Sequence, residues 1–211
     1  MSHGTDAAVA PAHWGGGVSP FGASWQKTMM WIFIVTDGLL FSGLLCGYGF
    51  LRTASESVAP WPIRTEIFKI WFIALMTFIL ITSSATMGTA VTAARLGDRK
   101  KATMNLLFTI IGGLAFLGCQ AYEWAELIHG GLTLTSGKFE HLAFAPQFGS
   151  SFYILTGFHG SHVVSGLTIL IITLIRYSMG KTPAQGVEMA GLYWHFVDLV
   201  WVFIFTLFYL V

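Results

Sequence analysis

The chain has 211 residues, of which 55% are hydrophobic and only 10% are charged, and its formal net charge is +1. Soluble globular domains carry roughly 25% charged residues, so the composition excludes this class and indicates a membrane protein. The small net charge also argues against nucleic acid as a partner.

The first 27 residues precede any long apolar run and hold mostly Gly, Ala and Pro, with His3 and His13. They lack the positively charged start, apolar centre and small-residue cleavage site that are typical of a signal peptide. We therefore expect a polar N-terminal tail over residues 1–27 and one transmembrane domain over residues 28–211.

Five apolar runs follow the tail, and each is near or above the ~20 residues that cross a bilayer. They cover residues 28–51, 67–94, 104–128, 149–176 and 189–211. Pro60-Trp61-Pro62, Gly97-Asp98, a Gly-rich stretch over 129–148 and Lys181-Thr182-Pro183 separate them. This pattern predicts an all-α membrane protein, a bundle of five transmembrane helices.

Lysine and arginine are distributed unevenly between the two sides of the predicted bundle. Seven lie before span one, after span two or after span four: Lys27, Arg95, Arg99, Lys100, Lys101, Arg176 and Lys181. The other four, Arg52, Arg64, Lys69 and Lys138, lie on the opposite side. Because cytoplasmic loops carry the excess of positive charge, we expect the N-terminus inside and the C-terminus outside.

Small residues recur at four-residue spacing in spans one and four, and such faces let membrane helices approach closely. Gly43 and Gly47 form a G-x-x-x-G step, and Gly157 begins a similar step with Ser161. The spacing predicts a tightly packed bundle rather than a wide pore. The candidates for subunit or helix packing are Gly43, Gly47, Gly157, Gly160, Tyr193, Trp194 and Trp201.

Ionisable residues at membrane depth are the candidate functional residues, because such groups are costly in lipid and should face protein or water. They are Asp37, Glu123, His159, His162, His195 and Asp198. At ~1.5 Å per residue, His159 and Asp198 share one depth, and His162 and His195 share another. We expect spans four and five to be neighbours that are joined by polar contacts at these two depths.

Each of these residues leaves a structural and a functional interpretation open. The histidines either connect helices by hydrogen bonds or act as axial ligands of a haem or a metal. Asp37 has either a structural or lipid-facing role or a place in a proton relay. Glu123 is either solvated near the outer end of its span or bonded to another helix. The structural interpretation is favoured for the histidines, since the spacing of His159 and His162 around Gly160 suits helix packing and nothing else in the chain resembles a redox site. Cys46 and Cys119 share no metal-type spacing and are interpreted as small apolar side chains.

Three strings in this chain resemble subunit III of the haem–copper terminal oxidases, in its short five-helix form. They are QAYEW over Gln120–Trp124, TGFHGSHV over Thr156–Val163 and GLYWHFVDLVW over Gly191–Trp201. Span one, WIFIVTDGLLFSGL over Trp31–Leu44, is similar to the family's helix with a buried carboxylate. The family usually has Ser-Glu where this chain has Thr36-Asp37, which is one methylene shorter.

The resemblance implies an accessory, non-redox subunit of a respiratory oxidase that reduces O2 to water and pumps protons. It implies no catalytic residue, haem or copper in this chain, with haem and copper in partner subunits I and II. It also implies bound phospholipid, support of proton uptake and a bacterial cytoplasmic (inner) membrane. The alternatives are a subunit-III-like partner of a nitric oxide reductase, an independent proton-coupled transporter and a haem-binding cytochrome.

Overall fold

Five long helices make up the part of the chain that the computed structural model describes, residues 24–55, 61–62, 67–135, 138–139, 142–143, 145 and 147–210. They are α1 (Trp25–Ser55), α2 (Ile70–Arg95), α3 (Arg99–His129), α4 (Gln147–Ser178) and α5 (Ala184–Ile204), which continues into a π-helical turn, Phe205–Leu210. All five are long and apolar enough to cross a membrane. The predicted all-α bundle of five spans is therefore confirmed, and the predicted tail lies almost wholly outside the described residues.

Short elements join these helices. Two-residue strands, β1 (Lys138–Phe139) and β2 (Leu142–Ala143), pair in antiparallel fashion between α3 and α4. Helix α3 begins at Arg99 rather than near residue 104, because the Asp98 carboxylate accepts a hydrogen bond from the Lys101 backbone N–H at 3.0 Å and caps the helix. Gly97 precedes this cap with φ +80°, a left-handed conformation that glycine adopts without strain. The basic turn after α2 is therefore largely helical.

Helices α2 to α5 pack as a four-helix core, and α1 lies against the outside of α4 and α5. Helix α5 contacts α1, α2 and α4, so it occupies the most enclosed position. In the most apolar part of α1 only 6% of the residues are buried, against 56% in α5. The outward face of α1 is therefore open to lipid or to another protein.

Trp194 of α5 lies at the centre of the bundle and is fully buried. Two glycines make room for its indole ring: a Cβ at Gly113 of α3 would lie 2.6 Å from the ring, and one at Gly166 of α4 would lie 3.1 Å from it. Protein interiors pack closely, so a larger residue at either position would displace the ring. These glycines allow three helices to meet around one large side chain.

The predicted packing residues divide into two groups. A Cβ at Gly157 would lie 3.2 Å from the Trp124 ring, so this glycine does lie at a helix contact. At Gly43, Gly47 and Gly160 a Cβ would meet no atom within 4 Å. Within this chain these three glycines are therefore not close to a neighbouring helix. Their contact with another subunit stays a prediction.

Candidate functional site

Asp37 and His162 form a pair between α1 and α4. The Asp37 carboxyl is 8% exposed, and its Oδ2 lies 3.3 Å from Nε2 of His162. The two groups are close enough for an ion pair, but Oδ2 lacks hydrogen-bond geometry in this conformation. Phe41 packs edge-on to the His162 ring at 5.2 Å between ring centroids. The pair is therefore enclosed by protein on the α1 side.

The other ring nitrogen of His162, Nδ1, is bonded within its own helix. Nδ1 lies 2.9 Å from the carbonyl oxygen of Phe158. A carbonyl oxygen only accepts, so Nδ1 carries a proton. Nε2 then faces Asp37 either as an acceptor from a protonated carboxyl or as a donor to a carboxylate. In this conformation the two groups lie 3.3 Å apart without a hydrogen bond between them.

A seam of hydroxyl groups on α2 faces the large polar side chains of α5. The indole N–H of Trp194 donates to Ser83 Oγ at 3.2 Å, and that of Trp201 donates to Thr77 Oγ1 at 3.0 Å. Next to Trp194 along α5, Nδ1 of His195 lies 2.6 Å from Ser84 Oγ. Buried indole N–H groups usually find an acceptor, and here the acceptors are the hydroxyls of one helix.

Helices α4 and α5 are neighbours, and a polar contact joins them at the depth of His159, but neither predicted pair of side chains forms. His159 is buried and its Nε2 lies 3.2 Å from the carbonyl oxygen of Val197, beside Asp198. His162 turns to Asp37 on α1, whereas His195 turns to Ser84 on α2. They diverge because α5 lies between α1 and α2, so its faces are satisfied by different helices.

Asp198 and Tyr193 also lie at helix contacts. Asp198 is 6% exposed and lies close to Ser84, but neither carboxyl oxygen makes a hydrogen bond with the described residues. The Tyr193 hydroxyl lies 2.7 Å from Ser165 Oγ of α4. Tyr193, Trp194 and Trp201 are all buried within this chain, so their observed role is packing and bonding between its own helices.

Glu123 of α3 is a buried carboxyl near the end of the bundle that holds the π-helical turn. The Tyr209 hydroxyl donates to its two oxygens at 3.1 and 3.3 Å, and the Gln120 amide donates to Oε2 at 3.0 Å. The bond from Tyr209 selects the interhelical alternative for Glu123. A cavity of about 30 Å³, lined in part by Lys69, Glu123 and Glu126, lies beside it. A cavity of this size holds about one water molecule.

Ion pairs lie at both ends of the bundle. Glu188, at the start of α5, accepts from Lys27 at 2.6 Å and from Arg95 at 2.9 Å, which joins α1, α2 and α5. At the opposite end, Lys69 pairs with Glu126. This hydrogen bond raises the pKa of the Lys69 ammonium, which lies before α2 begins. The Lys69–Glu126 pair is exposed, and pairs of this kind contribute little to stability.

The described residues hold no group of three or more His, Cys, Asp or Glu side chains that could bind a metal ion. His159, His162 and His195 each lie within hydrogen-bonding or ion-pair distance of a different helix element. This arrangement agrees with histidines that connect helices.

Sequence reasoning missed several residues that build these contacts. They are Thr77, Ser83, Ser84, Gly113, Gly166, Tyr209 and Glu188. The adjacent pairs Ser83-Ser84 and Gly112-Gly113, inside otherwise apolar spans, were the available signal. Single hydroxyls are common in membrane helices, so the sequence did not separate these from the others.

The fold and these contacts define a polytopic membrane protein whose ionisable groups bond its own helices together and whose first helix is largely exposed. The family model for cytochrome c oxidase subunit III matches residues 16–211. The chain belongs to this family.

Curated relatives agree with this assignment over most of the chain. A probable quinol oxidase subunit 3 of Staphylococcus saprophyticus is 33% identical over 189 residues, which are 88% of this chain and 89% of the relative. The quinol oxidase subunit 3 of Bacillus subtilis is 33% identical over 184 residues, 85% of this chain and 84% of the relative. A probable quinol oxidase subunit 3 of Staphylococcus aureus is 33% identical over 214 residues, 100% of this chain and 97% of the relative.

Proposed function

We propose that this chain is a non-catalytic subunit of a bacterial quinol oxidase that reduces O2 to water with proton pumping. The observation that carries the proposal is its membership in the oxidase subunit III family over residues 16–211. The names of the three relatives favour quinol as the electron donor. In this proposal haem and copper belong to subunits I and II, and this chain stabilises subunit I.

The membrane placement forms part of the same proposal. The chain crosses the bacterial cytoplasmic membrane five times, with its N-terminus inside, as the distribution of Lys and Arg favours. Phospholipid covers the part of the exposed α1 face that no subunit contacts. The five continuous helices support this role over that of a transporter, because many secondary transporters bind their substrates at broken helices.

Purification of the tagged chain from its native membrane in mild detergent tests the proposal. We expect co-purification of subunits I and II, quinol oxidase activity in the complex, and a haem spectrum that is lost when this chain is separated from them. Co-purification with a nitric oxide reductase, or a Soret band in the isolated chain, would contradict the proposal.

We propose that Asp37 and His162, which lie 3.3 Å apart, support proton supply to the complex by passing a proton between them. We expect Asp37→Asn to preserve assembly, because the asparagine amide donates to Nε2 of a neutral His162. Asparagine cannot take up or release a proton as the carboxyl does, so we expect less proton pumping and a shorter catalytic lifetime. Pumping in vesicles and the decay of turnover measure these effects.

Thr36→Val is the matched control for this substitution. Thr36 is next to Asp37, but its hydroxyl is exposed and bonds only to carbonyl groups of its own helix, at 3.0 and 2.9 Å. We expect normal pumping and lifetime from this variant. If Asp37→Asn also leaves pumping, its pH dependence and the lifetime unchanged, Asp37 has a structural role alone.

A further inference from the structure

His195 presents an imidazole on the outside of this bundle at membrane depth. It lies seven residues after Glu188, whose ion pairs mark the end of the bundle, so it is about 10 Å along the helix axis from that end and within the hydrocarbon. Its side chain is exposed, and its Nδ1 lies 2.6 Å from Ser84 Oγ. Its Nε2 makes no hydrogen bond with any residue that the structure describes.

The apolar surface next to His195 fits a helix, and His195 lies at the edge of this surface rather than in its groove. A groove of about 300 Å³ runs between α1 and α5, lined by Val35, Gly38, Leu39, Phe41, Ser42, Leu45, Phe196, Leu199, Val200 and Phe203. On α5 the exposed residues His195, Leu199 and Val202 follow one another at spacings of four and three. This is the spacing at which one helix presents a seam to another. We call this surface the α1–α5 face.

The position of the imidazole decides between lipid and protein as the occupant of this face. Lipid headgroups lie at the membrane surface, about 10 Å from His195 along the helix axis. Acyl chains offer no hydrogen bond, and a polar group is costly when it faces them. A side chain on a neighbouring transmembrane helix is the group that reaches His195 at this depth.

We propose that the α1–α5 face is the docking surface for a transmembrane helix of a partner subunit, which places a hydroxyl or amide side chain against Nε2 of His195. The apolar groove, which runs along α5 from Phe196 to Phe203, receives small and aliphatic side chains of the same partner helix. This inference rests on the proposed function, since it requires an oxidase complex, and it names the face through which the chain binds to it.

Photo-crosslinking in the assembled complex tests the docking surface directly. A photoreactive amino acid is placed at Leu199, which is 55% exposed on the α1–α5 face, or at Leu114 of α3, which is 53% exposed. Each residue lies 15 positions after the first residue of its helix, so they match in depth. Helix α3 lies diagonally across the four-helix core from α5.

We expect at least tenfold more protein crosslink from Leu199 than from Leu114. An equal or larger yield at Leu114, or no protein crosslink at Leu199 in an intact complex, overturns the docking surface and leaves the proposed function standing. If neither the two variants nor the parent chain co-purifies with any oxidase subunit, the proposed function itself is overturned.

Substitution of His195 supplies an independent test. We expect His195→Phe to increase severalfold the loss of this chain from the complex during detergent washing, and His195→Gln to restore much of the retention, because glutamine keeps a hydrogen-bonding group. Equal retention of both variants and the parent chain would count against the proposed contact. The thermal stability of each isolated chain shows whether the variant has folded.

Discussion

Replacing Trp194 by alanine is expected to lower the free energy of unfolding of the bundle by about 3–5 kcal/mol, the usual range for deleting a buried Trp side chain. The indole ring is fully buried, and it fills the space that Gly113 and Gly166 leave between α3 and α4. The substitution also leaves Ser83 Oγ without the indole N–H that lies 3.2 Å from it. The backbones of α3, α4 and α5 meet around this ring, so they cannot easily move together to fill the cavity that alanine would leave.

The measurement is reversible unfolding of the chain in bicelles or mixed micelles. Trp71→Ala is the matched control, since Trp71 is 70% exposed and its ring faces outward. Exposed substitutions usually change stability within about 0.5 kcal/mol, so we expect a small effect from this variant. Similar losses from both variants would show that the Trp194 ring does not hold the helices together.

The same variant separates helix packing from subunit packing. Trp194 is wholly covered by α2 to α5, so its removal weakens the chain itself before it weakens any contact with a partner. His195 is the next residue, and although it also contacts α2 through Ser84, its side chain is exposed. Loss of retention with normal stability for His195→Phe, and loss of both for Trp194→Ala, would distinguish the two kinds of contact.

The five spans were predictable from the sequence because hydropathy alone requires them. In hydrocarbon every backbone polar group must be bonded internally, so an apolar run of this length forms a helix. Asp37, His159 and Asp198 were also found by this rule, since ionisable groups in such runs must be buried or paired. Their burial in the structure agrees with it.

The partners of these residues were not predictable, because depth along a helix does not give its rotation. His162 and His195 were assigned to one depth, yet they face α1 and α2 respectively. Tyr209 reaches Glu123 from a π-helical turn, which the sequence of an apolar helix end does not reveal. Packing of all five helices sets these rotations together, and the motif glycines at 43 and 47 do not contribute to it within this chain.

Helix α5 therefore has three different faces. On the first face Trp194 and Trp201 donate hydrogen bonds to hydroxyl groups of α2. On the second face Tyr193 contacts α4, and on the third Leu199 is exposed beside α1. The first two faces hold the helices of this chain together, and the third is the face that we propose for a partner helix.

The second large effect is expected at the other end of the bundle, where Glu123→Leu leaves the Tyr209 hydroxyl and the Gln120 amide without their acceptor. Each buried donor that loses its partner costs about 1–3 kcal/mol. Interhelical bonds in membranes are often worth less than this, about 0.6 kcal/mol on average, because the unfolded state also finds partners. Tyr209 is 1% exposed, so its hydroxyl has little access to another acceptor.

A double-mutant cycle distinguishes a bonded network from simple loss of volume. We expect Tyr209→Phe to relieve part of the loss in Glu123→Leu, because removing both partners of a buried hydrogen bond is less harmful than removing one. Glu126→Gln is the control, since the Glu126 side chain is 42% exposed and pairs at the surface with Lys69. Strictly additive losses in the cycle would show that the bond from Tyr209 to Glu123 does not stabilise the end of α5. A measured coupling would show that the π-helical turn is held in place by this carboxyl.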